Sequence, residues 1–314
     1  MKPYVSVVIP AHNEEQHISA CLSSLLNQSY GADNYEVLVV DNGSNDNTYA
    51  IATRYNVKIF SRPGIKVGAV RNAGAEEAKG DVLVFIDADC VARPDFLETG
   101  VNELMLAENL VIGGGCNLPA NANWIERLWL LGTEGQNKPR HLIGACILIR
   151  KNHFQHVGGF DENLTSAEDS DFHNKLSEEG ISIKIDTKHN VVHLGNAKTV
   201  TQFIARQRWH AENYLRRPRK SLKDPIFWIT NIYLIALLIA IISISSDVAL
   251  SAASFFVVIL AAFTLTLKRI RRAETRISVY KDEIFKLFIL DHLYLIGRSL
   301  GLLTGLKSLF NFKV

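Results

Sequence analysis

The chain has 314 residues, of which 47% are hydrophobic, and a formal net charge of +2. This length and hydrophobic content allow one large folded domain with an appendage, and they exclude a chain that is disordered throughout. The charge is unevenly placed: residues 1–215 hold 19 Lys and Arg against 26 Asp and Glu, whereas residues 216–314 hold 15 against 6. Because the basic residues of the second part flank long apolar runs, the pattern favours an anionic membrane surface, and no nucleic acid, as a partner.

The chain contains four scattered cysteines, Cys21, Cys90, Cys116 and Cys146. They show no C-x-x-C spacing, so they indicate neither a zinc site nor a disulfide framework, and we expect reduced, buried thiols. The N-terminal run Val5–Ile9 is typical of a strand and lacks the basic-then-apolar order of a signal peptide. We therefore expect residues 1–215 to remain in the cytoplasm.

Short β-branched runs alternate with helical stretches in the first part of the chain. Strand candidates lie at 5–10, 35–40, 57–60 and 82–86, and helix candidates at 14–27, 47–55 and 67–78. This alternation predicts an α/β fold, with a mostly parallel sheet and helices on both faces. A second block has strand candidates at 111–113, 144–149 and 181–185 and a helix near 169–179. We expect it to complete the same sheet.

Polar clusters follow three of the predicted strands, at 11–15, 41–46 and 87–89. The carboxyl ends of parallel strands meet at one edge of a sheet, and ligands bind there. In the third cluster, Asp87 and Asp89 stand on either side of a small residue and can hold one hard cation that bridges a diphosphate. Asp-x-Asp is a common sequence and a solvated turn is the alternative, but the position directly after a buried strand favours a metal site.

Two runs without charged residues, 226–246 and 248–267, are separated by Asp247. At roughly 1.5 Å per residue each run is long enough to cross a hydrocarbon core, so the pair predicts two transmembrane helices. A buried core helix is the alternative for either run alone. Basic residues at 216–220 and 268–272 predict that both flanks are cytoplasmic.

The last apolar segment, from about 284 to 310, contains Lys286, Asp291, His292 and Arg298. These residues favour an interfacial amphipathic helix, with a third span as the alternative. We divide the chain into an α/β domain (1–215), a basic juxtamembrane linker (216–225), a transmembrane hairpin (226–267) and a basic, amphipathic, membrane-associated region (268–314). This organisation predicts a multi-pass protein of the cytoplasmic membrane, with the α/β domain in the cytoplasm.

The chain resembles glycosyltransferase family 2 over about residues 4–215. The resemblance rests on an ordered set of motifs: Pro10–Glu15, Asp41–Ser44, Arg71–Gly74, Asp87–Asp89, and Gly158–Asp161 running into Glu168–Asp169. It implies the GT-A fold of nucleotide-diphospho-sugar transferases, with transmembrane helices added at the C-terminus of this chain. It also implies a nucleotide-diphosphate sugar as donor and Mg²⁺ or Mn²⁺ on Asp87 and Asp89, with Ala88 lining the donor site.

The same resemblance assigns residues to the nucleotide. Asp41 would accept a hydrogen bond from the base, and Pro10, Ala11 and Glu14 would line the pocket for the base and the ribose. Judged from the residues alone, Asp41 follows a strand and precedes a Gly-Ser turn, so an alternative is that it caps the helix near Asp46.

Arg71 and His193 receive roles in the same way. Arg71 would contact the nucleotide; the alternative is a surface helix residue that pairs with Glu14 or Glu15. His193 follows the last strand candidate, where the fold often places a histidine near the metal or the diphosphate, and imidazole is a plausible third metal ligand. A structural histidine is the alternative.

Glu168 and Asp169 decide the mechanism. In the family, the Asp of this pair resembles a general base that removes the proton of an acceptor hydroxyl during a single inverting displacement. An acceptor phosphate is already anionic and needs no such base, so the pair favours a hydroxyl acceptor. Because helix N-termini often carry acids that complement the helix dipole, capping alone is the alternative.

Arg206, Arg208 and Trp209 resemble the region where processive relatives carry Gln-x-x-Arg-Trp, but position 205 is alanine. This departure and the two predicted spans argue against processive polymer synthesis. Arg206 and Arg208 are expected either to meet the donor diphosphate or to face anionic lipid.

Together these patterns predict an inverting, metal-dependent glycosyltransferase. The expected acceptor is a hydroxyl of a lipid-linked oligosaccharide or other glycan, at the cytoplasmic face of a membrane and in polysaccharide or glycolipid biosynthesis. A polyprenyl-phosphate glycosyltransferase is the first alternative. A non-catalytic, membrane-anchored binding or scaffold protein is the second.

Overall fold

The structure, a computed structural model of the chain, describes residues 2–130, 139–212, 214–215, 218–272 and 283–311. At Lys220, Arg272 and 308–311 it describes the backbone alone. Arg216 and Arg217 of the predicted basic linker lie outside the described residues. The chain forms two compact units: residues 1–120 with 133–195, and residues 121–132 with 196–314.

The first unit alternates strands and helices in chain order, and one helix of the second unit interrupts it. The elements are β1 (Val5–Ala11), α1 (Ile18–Leu26), β2 (Tyr35–Asp41), α2 (Thr48–Ala52), β3 (Lys58–Ser61), α3 (Val67–Glu77), β4 (Val82–Phe85), β5 (Cys90–Val91), α4 (Phe96–Leu104), β6 (Leu110–Gly113), β7 (Cys116–Asn117), α5 (Trp124–Trp129, second unit), β8 (Ile147–Arg150), α6 (Lys151–His156), α7 (Glu168–Glu178), β9 (Ser182–Ile185) and β10 (Val191–His193). Short 3₁₀ helices lie at Ala32–Asn34 and Thr187–His189.

The main sheet of the first unit has seven strands in the order β3-β2-β1-β4-β8-β6-β9. Strands β1 to β4 are parallel, β8 runs antiparallel to both of its neighbours, and β9 is parallel to β6. The predicted α/β fold with a mostly parallel sheet is therefore confirmed, and the second block completes the sheet as expected. A three-stranded sheet, β5-β10-β7, was not predicted, because strands of two or three residues carry no periodic signal.

Strand β1 is buried on both faces, as its uninterrupted apolar run requires. Val7 and Ile9 belong to one hydrophobic cluster, together with Leu22 of α1. Val8 points to the opposite cluster, which contains Ala75 of α3. The alternation of side chains along the strand thus places helices on both faces and fixes the direction in which its carboxyl end opens.

The second unit is helical. Besides α5 it contains α8 (Val200–Ala211), α9 (Pro218–Ser221), α10 (Pro225–Ile242), α11 (Val248–Arg272) and α12 (Ile284–Asn311). Among the described residues, three segments are long and apolar enough to cross a membrane by length and composition: Pro225–Ser245, Val248–Arg271 and Ile284–Lys307. The first two coincide with the predicted hairpin. The third meets the same criteria, and its interfacial placement stays a prediction.

Close contacts fix the helices of the second unit. Gly301 of α12 packs directly on α8, since a Cβ at this position would collide with the Arg208 carbonyl oxygen. Asp291 of α12 is fully buried, and its Oδ1 accepts a hydrogen bond of 2.7 Å from Arg269 Nε of α11. Arg269 also donates to the Trp129 carbonyl oxygen of α5. Through this ion pair and this hydrogen bond, Arg269 links α11 to both α12 and α5.

Candidate functional site

The carboxyl ends of β1, β2 and β4 bring the three predicted polar clusters to one edge of the main sheet. Ala11 at the end of β1 lies opposite Asp41 at the end of β2, and Phe85 of β4 pairs with Val8, so that Asp87 follows at the same level. Ala11 and Ala88 are buried beneath this edge, and Pro10 is partly buried.

Glu14 lies near two other acids at this edge. Burial and the nearby Asp89 and Asp87 raise the pKa of Glu14, and its Oε2 is hydrogen-bonded to His17 Nδ1 at 3.0 Å.

Two hydrogen bonds tie the first cluster to the second. Asn13 has a left-handed backbone (φ 57°), which Asn tolerates better than most residues, and its backbone N–H donates to Ser44 Oγ at 3.0 Å. Its side-chain Oδ1 accepts from the Asn45 N–H at 2.8 Å. Asn13 and Ser44 lie within two of the predicted motifs, but their contact was not predicted. These two hydrogen bonds therefore hold the loops after β1 and β2 together at this edge of the sheet.

Asp41 forms a turn with one carboxylate oxygen, and its other oxygen has no partner in the described part of the chain. Its Oδ2 accepts from the N–H groups of Gly43 (3.1 Å) and Ser44 (3.2 Å). Its Oδ1 is buried and has no hydrogen-bond donor among the described residues. The alternative that Asp41 caps α2 is wrong, since Asp46 Oδ1 accepts from the Thr48 N–H at the start of that helix. An unpaired buried acceptor costs about 1–3 kcal/mol, and a ligand donor would remove this cost.

Arg71 of α3 joins two carboxylates from different parts of the chain. Its Nη2 donates to Asp87 Oδ1 at 2.6 Å, and its Nη1 donates to Glu168 Oε1 at 2.7 Å. The side chain is 3% exposed, so the alternative of a surface residue paired with Glu14 or Glu15 is wrong. Burial opposes the charge, but Asp87 and Glu168 outweigh it and raise the pKa of Arg71.

Gly144, three residues before β8, makes room for this guanidinium. A Cβ at position 144 would collide with Arg71 Nη2. The guanidinium carbon also lies 5.6 Å from the centre of the Phe160 ring. Nothing in the sequence indicated that position 144 must be glycine, because this requirement comes from the side chain of Arg71, which is distant in sequence.

Glu168 and Asp169 begin α7, directly after Ala167, whose backbone is left-handed (φ 62°). This conformation costs a residue with a Cβ about 1–2 kcal/mol. Asp169 Oδ1 accepts from the Ser170 N–H at 2.6 Å, and Oδ2 accepts from the Gly144 N–H at 3.4 Å. Burial and the adjacent Glu168 raise the pKa of Asp169. Because Glu168 pairs with Arg71, complementing the helix dipole does not by itself explain the two acids.

Asp89 and His193 meet on the small sheet. Asp89 Oδ2 lies 3.2 Å from His193 Nε2, and a Cβ at Gly195 would collide with the Asp89 carboxylate. Ligand atoms of Asp89, Cys90 and His193 all lie within 4.8 Å of one another, a donor set that fits a divalent cation. Asp87 lies outside this group, and its Oδ1 accepts from Arg71. Cys90 was missed, because scattered cysteines without a ligand spacing indicated structural thiols alone.

Arg206 and Arg208 lie on α8, in the second unit. Arg208 Nε is 3.7 Å from Glu212 Oε1, and Trp209 is exposed. The expectation that these arginines meet a diphosphate or a lipid stays a prediction.

Comparison with known proteins identifies the family of this chain. The model of glycosyl transferase family 2 matches residues 6–158, and that of glycosyl transferase family 21 matches residues 131–296. Glycosyltransferase AglE of Haloferax volcanii is 30% identical over 217 residues, which are 65% of this chain and 71% of the relative. The chain belongs to glycosyltransferase family 2.

A second relative of this glycosyltransferase is dolichyl N-acetyl-alpha-D-glucosaminyl phosphate 3-beta-D-2,3-diacetamido-2,3-dideoxy-beta-D-glucuronosyltransferase of Methanococcus voltae. It is 31% identical over 105 residues, 31% of the glycosyltransferase and 33% of the relative. Mannosyltransferase PcManGT from Pyrobaculum calidifontis, solved with GDP-Man and Mn²⁺, matches with a TM-score of 0.61 at 18% identity. The match covers 96% of the glycosyltransferase and 88% of that chain. This likeness confirms the GT-A fold that the motifs predicted.

Proposed function

We propose that this glycosyltransferase moves a sugar from a nucleotide-diphosphate sugar to a hydroxyl group of a lipid-linked acceptor, by one inverting displacement. The observation that carries the proposal is the bridge made by Arg71. This one buried guanidinium pairs with Asp87 of the predicted donor motif and with Glu168, the neighbour of the predicted base. A rigid link between the two motifs is what a single displacement requires, because donor and base must keep a fixed distance.

The donor half of the proposal is supported by Asp41. Its Oδ1, which accepts no hydrogen bond from any described residue, is suited to an N–H group of a nucleotide base. Pro10, Ala11 and Glu14, at and just beyond the end of β1, would line the base and the ribose, with Ala88 facing the donor. The structural neighbour PcManGT was solved with GDP-Man, a donor of this chemical class.

Asp89 and His193 would hold Mg²⁺ or Mn²⁺, with Asp87 beside them. The cation, when bound, supplies positive charge that stabilises the leaving diphosphate. Asp87 has a second task in this proposal: its Oδ1 anchors Arg71, so the same acid would connect the donor site to Glu168.

Asp169 would act as the base. Its carboxylate accepts the proton of the acceptor hydroxyl while the hydroxyl oxygen attacks the anomeric carbon, and the bond from that carbon to the diphosphate breaks. Burial suits the role, because a raised pKa makes the carboxylate a stronger base than an exposed Asp. The Gly144 N–H and the Ser170 N–H, both hydrogen-bonded to the side chain, would hold it in place.

The acceptor and the location are supported by the apolar helices. The three helices of the described part of the chain that are long and apolar enough to span a membrane would keep the domain at the surface where lipid-linked acceptors lie. The basic residues beside the first two support a catalytic domain at the cytoplasmic face of the cytoplasmic membrane. The proposal keeps the predicted boundaries between the α/β domain, the linker, the transmembrane hairpin and the C-terminal region, which follow residues 215, 225 and 267. Arg206 and Arg208 would contact the diphosphate or anionic lipid.

A donor screen tests the proposal. Full-length protein in detergent would be given Mn²⁺ and a panel of nucleotide-diphosphate sugars, with and without membrane lipid extract, and released nucleotide diphosphate would be measured. We expect release from one donor that rises with the extract. If no donor is bound or hydrolysed, the chain is a binding or scaffold protein.

Asp169→Asn separates the two acceptor classes. We expect kcat to fall by about 10²–10⁴, the usual contribution of a general base. Glu178→Gln, exposed on the same helix α7, is the matched control and should keep full activity. Nearly intact activity in Asp169→Asn would instead support transfer to a polyprenyl phosphate, which is anionic without a base.

A further inference from the structure

Cys90 stands inside the group of potential metal ligands. Its Sγ lies within 4.8 Å of ligand atoms of both Asp89 and His193, and it approaches Asp89 Oδ1 at 3.5 Å. The pairing of β5 with β10 sets this arrangement, because Cys90 lies directly opposite His193 in the register. Sulfur therefore forms the third corner of a site whose other two corners are oxygen and nitrogen.

Two other thiols of the unit behave as purely structural cysteines. Cys21 Sγ donates to the Asp87 carbonyl oxygen at 3.6 Å, and Cys146 Sγ donates to the His189 carbonyl oxygen at 3.1 Å. Both are buried and each faces the backbone. The Cys90 thiol differs, because it contacts two side chains: the Cys116 thiol and the carboxylate of Asp89, which is itself a candidate metal ligand.

The three donor types differ in the cations they select. Mg²⁺ and Mn²⁺ prefer oxygen ligands, whereas Zn²⁺ and other thiophilic cations bind sulfur and imidazole more strongly. A carboxylate, an imidazole and a thiolate together form a set typical of zinc sites.

We infer that Asp89, Cys90 and His193 form a site for thiophilic divalent cations, which bind there more tightly than Mg²⁺ or Mn²⁺ and block the cation that supports transfer. The inference concerns the metal site of the proposed function and rests on it only for the blocking effect. Binding through sulfur releases the thiol proton to solvent, because the thiolate is the form that ligates metals. Zn²⁺ would thus act as an inhibitor that competes with Mn²⁺.

Cd²⁺ titration of the full-length protein in detergent tests the binding directly. A Cd²⁺–thiolate bond gives an ultraviolet charge-transfer band that no oxygen or nitrogen ligand produces. We expect one equivalent of Cd²⁺ to produce the band in the unmodified protein and in the matched control Cys21→Ser. The band should be lost in Cys90→Ser, and the Cd²⁺ affinity should fall more than about tenfold in Asp89→Asn and in His193→Asn.

Two outcomes overturn the inference. A band that persists in Cys90→Ser would place the cation on another thiol. Unchanged Cd²⁺ affinity in both Asp89→Asn and His193→Asn would show an isolated thiol. Should Cys90→Ser fail to fold, competition in the unmodified protein decides: because Cd²⁺ binds more tightly, Mn²⁺ in large excess must displace it and abolish the band, and a band that persists at saturating Mn²⁺ rejects a shared site.

The binding assay contains no donor and no acceptor, so it stands apart from the proposed function. A protein that binds Cd²⁺ through Cys90 and transfers no sugar would keep this inference and remove the proposed function. An active enzyme without the band would do the reverse. In an active enzyme, Zn²⁺ should inhibit Mn²⁺-supported release of nucleotide diphosphate, and a Cys90→Ser variant should need more than about tenfold higher Zn²⁺ for the same inhibition.

Discussion

Arg71 illustrates what a single residue contributes to this site. Its motif in the sequence suggested a contact with the nucleotide, yet the structure gives its two terminal nitrogens to Asp87 and Glu168, the latter 97 residues away. The contact with the nucleotide stays a prediction. The first role of Arg71 that the geometry supports is therefore to hold two acidic motifs together.

Arg71→Met should destabilise the protein strongly. Removing one partner of a buried ion pair leaves uncompensated charge and costs about 3–5 kcal/mol of unfolding free energy. Arg62→Met is the control: Arg62 pairs with Glu77 on the surface, with side chains 45% and 41% exposed, and such pairs contribute about 0–1 kcal/mol. Denaturant unfolding in detergent would measure both, and equal losses would contradict the bridging role.

The raised pKa of Asp169 predicts a pH dependence. The base works only as a carboxylate, so kcat/KM should fall as the pH drops through its pKa. Because burial and Glu168 raise that pKa, the midpoint of the acid limb should lie above about 3.9, the value of an exposed Asp. The midpoint of the acid limb should shift in Asp169→Glu and should stay unchanged in Glu178→Gln. A midpoint that Asp169→Glu leaves unchanged would assign the limb to another group.

The pairing of strands in the small sheet and the packing of helices in the second unit depend on contacts that the sequence does not reveal. Strands β5, β7 and β10 are too short for a periodic pattern, yet they bring Cys90 and Asp89 to His193. In the second unit, charged residues within the apolar segment of α12 suggested an interfacial helix. The structure buries one of them, Asp291, and pairs it with Arg269 of α11.

The Arg269–Asp291 pair can be tested by a double-mutant cycle. Asp291→Leu alone should cost about 1–3 kcal/mol, since it leaves the partly buried Arg269 without its carboxylate. The double variant Arg269→Met/Asp291→Leu should be clearly more stable than the sum of the single losses predicts. Arg127→Met, which breaks the partly exposed pair with Glu283, is the control and should cost about 1 kcal/mol or less. Additive losses would show that the two charges do not interact.

The whole molecule joins an acidic first part to a basic, apolar second part. This asymmetry predicts that the residues beside the spans stay on the cytoplasmic side, whereas the turn between α10 and α11 crosses to the other face. Lys307, near the end of α12, should remain on the cytoplasmic side if that helix lies along the interface.

Single cysteines in intact cells, introduced into a variant whose four native cysteines are replaced by serine, test this arrangement. A membrane-impermeant maleimide should label Asp247→Cys, in the turn, and should leave Lys223→Cys unlabelled until the cells are permeabilised. Lys307→Cys should behave like Lys223→Cys. Labelling of Lys307→Cys from outside would instead show that α12 spans the membrane, and labelling of Lys223→Cys from outside would invert the proposed orientation.

The sequence by itself determined the mostly parallel sheet, the edge where the polar clusters meet and the two long apolar helices. Each follows from a local signal: the alternation of strands and helices, the polar residues directly after a strand, or a run of about twenty uncharged residues. The direction of β8 was beyond these signals, because a buried strand has the same pattern whether it runs parallel or antiparallel.

Only the tertiary structure decided which side chains meet. The partners of Arg71, the space left by Gly144 and the place of Cys90 beside Asp89 and His193 depend on packing between segments far apart in the chain. A residue type and its neighbours in sequence do not specify such contacts. These contacts arise because the folded sheet fixes where each loop begins, and this brings motifs that are far apart in sequence next to one another.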